Sequence, residues 1–331
     1  MKRAGGVALW WGTWRERRQR LIAVRLGQGG GLLILYLGLI VWFAKASPYF
    51  LSVSNFLNIG TNIAYIGIMA TLMTLVILSG GFDLSVGAVV ALTGVAIAQL
   101  VDAGWNVWAA TAVGLAVGPL VGFTNSLLIT RVGINPLITT LGMLSIVRGL
   151  AFVLTGGLTG AILEESFAFL GRGRFLGIPF PIVVFALVFL AAWFALRFTT
   201  FGRAIYAVGG NAEAARLAGI DTRLIRTVVY TLSGLSAAVA GVILASQLGA
   251  GAPQAATGIE LSVIAAVILG GTSLSGGRGG VWGTILGILI LGTLNNGLAL
   301  LSVSSFYQDV ARGLVLLFAV ALDQLTARRA R

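Results

Sequence analysis

Ten Asp and Glu residues are the whole stock of acid–base chemistry in this chain of 331 residues, which contains no Cys and no His. The missing types remove thiol nucleophiles, disulfides, imidazole general bases and Cys/His metal sites together. The informative charges are those set in apolar surroundings: Asp83, Glu260 and Asp309, with Arg148 and Arg312. Such groups are expensive to bury and are ordinarily paired or functional. Asp83 stands between Gly81 and Leu84 and has two readings. It is a gate or hinge lock, or, with Ser85, it is the N-cap of the helix that follows. Asp309 and Arg312 are three residues apart, a spacing that pairs them on one helix face. Arg148 either snorkels to an interface or pairs with an acid on another helix, such as Glu260.

The elements that position these groups are transmembrane helices. The chain is 58% hydrophobic and 10% charged, with a mean hydropathy of +0.99. A soluble domain carries about 25% charged residues, so lipid, rather than water, must face most of this surface. A helix needs about 20 apolar residues to cross a membrane. Ten segments qualify: 31–50, 56–78, 84–101, 107–130, 134–155, 180–198, 226–248, 258–272, 282–300 and 306–323. The weakest is 258–272, which is read as tilted, re-entrant or extended through the glycines after it. Ten crossings put both termini on one side, and 17 of the 22 Lys and Arg then share that side, against three on the other. By the positive-inside rule, that side is the cytoplasm. The same rule accounts for the net charge of +12 without a nucleic-acid partner. The expected fold is all-α, a polytopic transmembrane helix bundle forming one domain over 1–331. Residues 1–30 are read as a cytoplasmic tail, either free or lying as an interfacial helix with Trp10, Trp11 and Trp14 at headgroup depth; 156–179 form an external loop and 199–225 a cytoplasmic one.

That cytoplasmic loop contains a short helix signal. Asn211 is a good N-cap, Glu213 lies in the first turn, Ala214 and Ala215 favour helix, and Gly219 is a natural stop. A two-turn helix is not stable alone in water. It packs on its own bundle as an ordinary structured loop, or on another protein. Two tetrapeptides, Leu78-Ser79-Gly80-Gly81 and Leu274-Ser275-Gly276-Gly277, look like an ABC ATPase signature. A working ATPase also needs a phosphate-binding lysine loop. The only lysines are Lys2 and Lys45, and neither lies in such a pattern. These runs are read as close-packing or unwound backbone at span ends.

Glu213-Ala214-Ala215 followed by Gly219 resembles the "EAA" loop of ABC importer permeases. The segment Gly80-Gly81-Phe82-Asp83-Leu84-Ser85-Val86-Gly87 resembles the stretch after the second span of ribose-type permeases. Gly258-Ile259-Glu260-Leu261, residues 265–273, Gly276-Gly277-Arg278-Gly279 and Asn295-Asn296-Gly297-Leu298 resemble their C-terminal block. Together these cover about residues 45–323. Phe82 departs from the isoleucine-type residue that is commoner there.

The resemblance implies a permease subunit of an ABC importer for a neutral monosaccharide, in the inner membrane, working by alternating access. Its partners are a second permease subunit, a cytoplasmic ABC ATPase that binds the ATP, and an external sugar-binding protein. Asn211, Glu213, Ala214, Ala215 and Gly219 would then couple to the ATPase. The chain itself needs no cofactor or metal and is not an enzyme. A sugar path wants amides and aromatics, which makes Asn62, Asn125, Gln247, Asn295 and Asn296 its polar candidates; Asp83 and Glu260 join them as pathway or gate candidates because they are ionisable groups set in apolar surroundings. Nucleoside or autoinducer-type permeases share this pattern. A self-contained secondary transporter would want more membrane-embedded acids than these.

Overall fold

The computed structural model describes residues 30–311, 313–315 and 317. The expected N-terminal tail up to residue 29, the Arg312 partner of Asp309 and the end of the 306–323 span from residue 318 on lie outside the described residues. In chain order the helices are α1 (Gly30–Ala46), α2 (Val53–Leu78), α3 (Val86–Asp102), α4 (Val107–Leu127), α5 (Pro136–Thr155), α6 (Glu165–Arg172), α7 (Phe180–Phe198), α8 (Thr200–Gly210), α9 (Ala212–Leu217), α10 (Thr222–Leu248), α11 (Ile259–Leu269) and α12 (Val281–Leu300). Residues 305–311 are helical as well. The long helices α2, α4, α5, α7, α10 and α12 are each long and apolar enough to cross a membrane; α1, α3 and α11 are apolar but shorter.

Polar side chains set the helix starts. Ser52 accepts the Asn55 amide at the head of α2. Asn106 accepts from Trp108 and Ala109 at α4. Asn135 accepts from Leu137 ahead of Pro136 at α5, and Asp221 accepts from Arg223 and Leu224 at α10. Each satisfies amides that the first turn leaves without a partner. α4 ends in one π turn, Leu128–Val132, closed by Gly133 in the left-handed region.

α2 and α10 form the enclosed centre, while α5 and α7 turn most of their surface outward. α10 crosses α4 at a glycine notch. A Cβ on Gly118 would overlap the Gly234 carbonyl, one on Gly234 would overlap the Gly118 carbonyl, and one on Gly122 would overlap the Tyr230 carbonyl. Backbones this close gain dispersion contacts that lipid cannot match, the usual basis of helix association in membranes.

The 156–179 connection, expected only as a loop, contains α6 and two short antiparallel ladders. β1 (Gly160–Ala161) pairs with β4 (Ala250–Gly251), and β2 (Arg174–Phe175) pairs with β3 (Ile178–Pro179). Ser246 holds α6 against the end of α10: it accepts the Gly171 amide at 2.8 Å and donates to the Phe167 carbonyl at 2.6 Å. Arg172 caps the same end by donating twice to the Gln247 carbonyl, at 2.9 and 2.7 Å. The 199–225 connection contains two helices, α8 and α9, where the sequence marked one.

Candidate functional site

Two of the bundle's helices are interrupted inside it. The first break is Ser79–Ser85, between α2 and α3. The second is the stretch from Gly249 to Gly258, between α10 and α11. α3 is the ruler for both. Gly94 of α3 faces Ala245 and Gly251, whereas Gly87, seven residues earlier, faces Ala256, Ile259 and Glu260. Seven residues of helix rise about 10 Å, so the chain runs along α3 by that distance before α11 begins. The 11 residues of α11 rise only about 16 Å. The expected weak span at 258–272 is therefore a half-helix with an approach made of turns and an unwound exit. The N-termini of α3 and α11 lie side by side, an arrangement that brings two positive dipole ends together inside the bundle. Interrupted helices of this kind line solute sites in membrane transporters, because irregular backbone is tolerated in a membrane only where it lines a cavity or is buried in protein.

The first break is closed by a polar network. Asp83 is 1% exposed. Its Oδ1 accepts the Ser85 hydroxyl at 2.6 Å and the Ser85 amide at 3.0 Å, and its Oδ2 accepts the Ser233 hydroxyl of α10 at 2.8 Å. Asn125 of α4 donates through Nδ2 to the Ser85 hydroxyl at 2.9 Å. Tyr230, one turn before Ser233, donates to the Phe82 carbonyl at 3.1 Å, and Gly81 leaves room for its ring because a Cβ there would strike the phenol oxygen. Of the two readings of Asp83, the cap is realised in part: its Oδ1 accepts the Ser85 amide at the head of α3, whereas Ser85 itself makes no side-chain capping bond. The carboxylate also ties the break to α10, and through Ser85 to α4. Ser233 and Tyr230 were not singled out from the sequence. They lie about 150 residues from Asp83, and nothing local marks them.

The second break is held differently. Arg148 of α5 donates through Nη1 to the carbonyls of Pro253 and Ala255, at 2.8 and 2.7 Å. It lies near enough to Glu260 to act on its charge, but the direct ion pair, one of the two readings of Arg148, is not formed; the guanidinium holds unwound backbone. Gly258, at φ 77°, starts α11 without a side-chain cap. Glu260 Oε2 is buried against Gly87 and has no hydrogen-bond partner among the described residues.

The other pathway candidates do not gather here. Asn62 is exposed on α2. Asn295 is half-buried, and its neighbour Asn296 makes the interhelical contact, a reciprocal pair with Asn55 at 3.0 and 2.9 Å. Gln247 sits at the α10 end, its Nε2 buried and without a partner among the described residues.

In the second connection, Asn211 caps α9 by accepting the Ala214 amide at 2.9 Å, and Gly219 follows at φ 84°. Ala215 is 5% exposed and turned into the bundle, so it seats the helix; Ala214 and Leu217 face outward. Glu213 pairs with Arg216 at 2.6 Å, both side chains exposed. The arginine holds the Glu213 carboxyl below the usual carboxylate range, and is itself raised. That pairing is fully present at neutral pH and is lost as pH falls through the lowered Glu213 value.

Comparison with known proteins places the chain. The model of the family described as "Branched-chain amino acid transport system / permease component" matches residues 55–320. A ribose import permease of Bacillus subtilis (strain 168) is 46% identical over 91% of this chain and 92% of its own length. The ribose import permease of Escherichia coli (strain K12) is 45% identical over 88% of this chain and 92% of its own. An L-arabinose transport system permease of the same strain is 41% identical over 91% of this chain and 92% of its own. No solved structure matches. With a family model covering most of the described bundle and full-length relatives at this identity, the chain belongs to the permease-component family of ABC import systems and is a multi-pass inner-membrane protein.

Proposed function

We propose that this chain is the permease subunit of an importer for a neutral monosaccharide, forming one transmembrane domain that alternates between outward and inward access. The observation that carries the reading is the convergence of the N-termini of α3 and α11 at unwound backbone, with Glu260 Oε2 beside them and without a hydrogen-bond partner among the described residues. A cargo of hydroxyl groups suits such a place, since it can donate to a carboxylate and accept from helix amides without bringing a charge of its own. Relatives named for ribose and L-arabinose make pentoses the first sugars to test.

In this reading the chain crosses the membrane ten times and both termini are cytoplasmic, as the basic residues favour. The α8–α9 connection is then cytoplasmic and α6 external. α9 docks on a separate ATPase, which binds the ATP, a second permease subunit completes the pathway, and an external binding protein delivers the sugar. Neutral exposed residues on α9, Ala214 and Leu217, offer the docking face.

The test is uptake by the whole complex in proteoliposomes, with labelled ribose and an excess of unlabelled competitor. Pentoses should compete and amino acids should not. Best competition by a nucleoside, with no effect of sugars, would sink the cargo while leaving the machine. Topology is tested separately in this Cys-free chain: a Cys at position 164 should react with an impermeant thiol reagent from outside, and one at 213 should not.

A further inference from the structure

The two Leu-Ser-Gly-Gly segments, far apart in sequence, meet at one point together with the end of α8. The Gly277 amide donates to the Leu78 carbonyl at 2.9 Å. Gly209, in the last turn of α8, lies over that same carbonyl, and a Cβ on it would overlap the oxygen and approach the Gly277 nitrogen to 2.7 Å. A Cβ on Gly276 would come within 2.9 Å of the Gly209 carbonyl oxygen and 3.1 Å of the Gly80 Cα; one on Gly277 would come within 2.8 Å of the Gly210 Cα. One turn earlier on α8, the Tyr206 hydroxyl donates to the Gly279 carbonyl at 3.0 Å. Three backbones therefore touch with no side chain between them: the end of α2, the end of α8, and the connection from α11 to α12.

Contacts made through side chains yield by rotamer change, whereas close-packed backbone has no soft torsion to absorb a push. A shift of α8 must reach both partners. Along one of them, Gly80 is three residues from Asp83, which anchors the start of α3. Along the other, residues 270–277 continue α11, whose first turn carries Glu260. Both half-helices of the candidate site thus hang from the same joint.

We infer that the joint of Gly80, Gly209, Gly276 and Gly277 is the transmission element of the permease: it passes displacement of α8–α9 to both interrupted helices at once, and stays closed while it does so. The inference rests on the reading of α9 as the ATPase-docking element.

The experiment uses the assembled complex with its binding protein in proteoliposomes, and reads ATPase co-purification, ATP hydrolysis and sugar uptake per ATP. In Gly209→Ala the ATPase should still co-purify, while uptake per ATP falls by about tenfold or more, the size of a typical coupling between sites. Tyr206→Phe adds no atom and should lower uptake per ATP in the same direction by a smaller factor. If Gly209→Ala is inserted at the normal level and transports with unchanged uptake per ATP, the inference is overturned. Should that variant fail to fold, a cross-link decides. Tyr206→Cys with Gly280→Cys, tied by a short reducible bifunctional thiol reagent, should transport at least as well tied as untied. Loss of uptake on tying, regained on reduction, would show that the joint must open, and would overturn the inference. Ala214→Trp separates the underlying reading: if it leaves the ATPase bound and uptake intact, the docking role of α9 fails whatever the joint does.

Discussion

The breaks at Ser79–Ser85 and at 249–258 use the same device, a half-helix beginning inside the bundle, and treat its polar groups in opposite ways. In the first, a fully buried carboxylate accepts three hydrogen bonds and a fourth extends to α4. In the second, one arginine holds two carbonyls and a carboxylate oxygen is left without a partner. A buried polar network that is answered locks its elements together; one left open retains capacity for something that arrives. On this contrast the first break is built as an anchor, and the second is the face that the proposed function would offer to cargo. α10 joins them, since Ser233 secures the first and its C-terminal end leads into the second.

The largest effect should follow loss of the anchor. Asp83→Ala strands the Ser85 and Ser233 hydroxyls and the Ser85 amide in a closed interior. Each group so stranded costs about 1–3 kcal/mol, so the total should be several kcal/mol. The fall should appear as a large drop in Tm in detergent and as low abundance in the membrane. A variant that melts like the parent would remove the anchor role.

Arg148→Met comes next. It frees two carbonyls that were each held by a charged donor, bonds of about 1.5–3 kcal/mol, but 252–258 is partly exposed, and where water reaches it part of the loss is answered. A smaller drop in Tm than for Asp83→Ala is expected, with uptake reduced more than stability. Arg148→Lys should recover only part, because an ammonium cannot reproduce the guanidinium fork.

Glu260→Gln should do the reverse of Asp83→Ala. The side chain keeps its size, and the oxygen it alters has no partner to lose, so Tm should move little. Uptake should fall by about tenfold, the scale of one charge-assisted hydrogen bond to cargo. A large loss of stability with normal uptake would invert the comparison, making the second break the structural one.

The sequence reading reached the elements better than it reached their meetings. Asn211 and Gly219 carry local rules of capping and handedness, and both stand where those rules put them. The short apolar run at 258–272 also announced its own oddity. Asp83 is visible as an anomaly, but not its partners: Ser233 and Tyr230 look like any small or aromatic residue on a long helix, and only the packing of α10 against α2 and α3 brings them close. Asn295 and Asn296 show a related difficulty. Adjacent residues on a helix point about 100° apart, and in α12, apolar on all sides, nothing in the pattern says which one faces α2. α8 carries no comparable local signal: Gly202, Gly209 and Gly210 are poor helix formers, and a Cβ on Gly202 or Gly209 would overlap neighbouring backbone.

The smallest effect belongs to the one loose end of the anchor. Asn125 Oδ1 is buried and has no partner among the described residues, while its Nδ2 donates to Ser85. Asn125→Ala therefore removes one hydrogen bond, a net contribution of about 0.5–1.5 kcal/mol, and at the same time removes an unanswered buried oxygen whose penalty is of similar size, about 1–3 kcal/mol. Ser85 still donates to Asp83, so no donor is stranded. A small void remains, which adds a modest destabilisation. These terms nearly cancel, and the change in stability should stay within about 1 kcal/mol in either direction, visible as a Tm close to the parent's. If Asn125→Ala instead falls as far as Asp83→Ala, Oδ1 has a partner in the membrane-embedded protein, and the first break is open to an outside group just as the second is. Measuring the two variants side by side decides whether the anchor is closed.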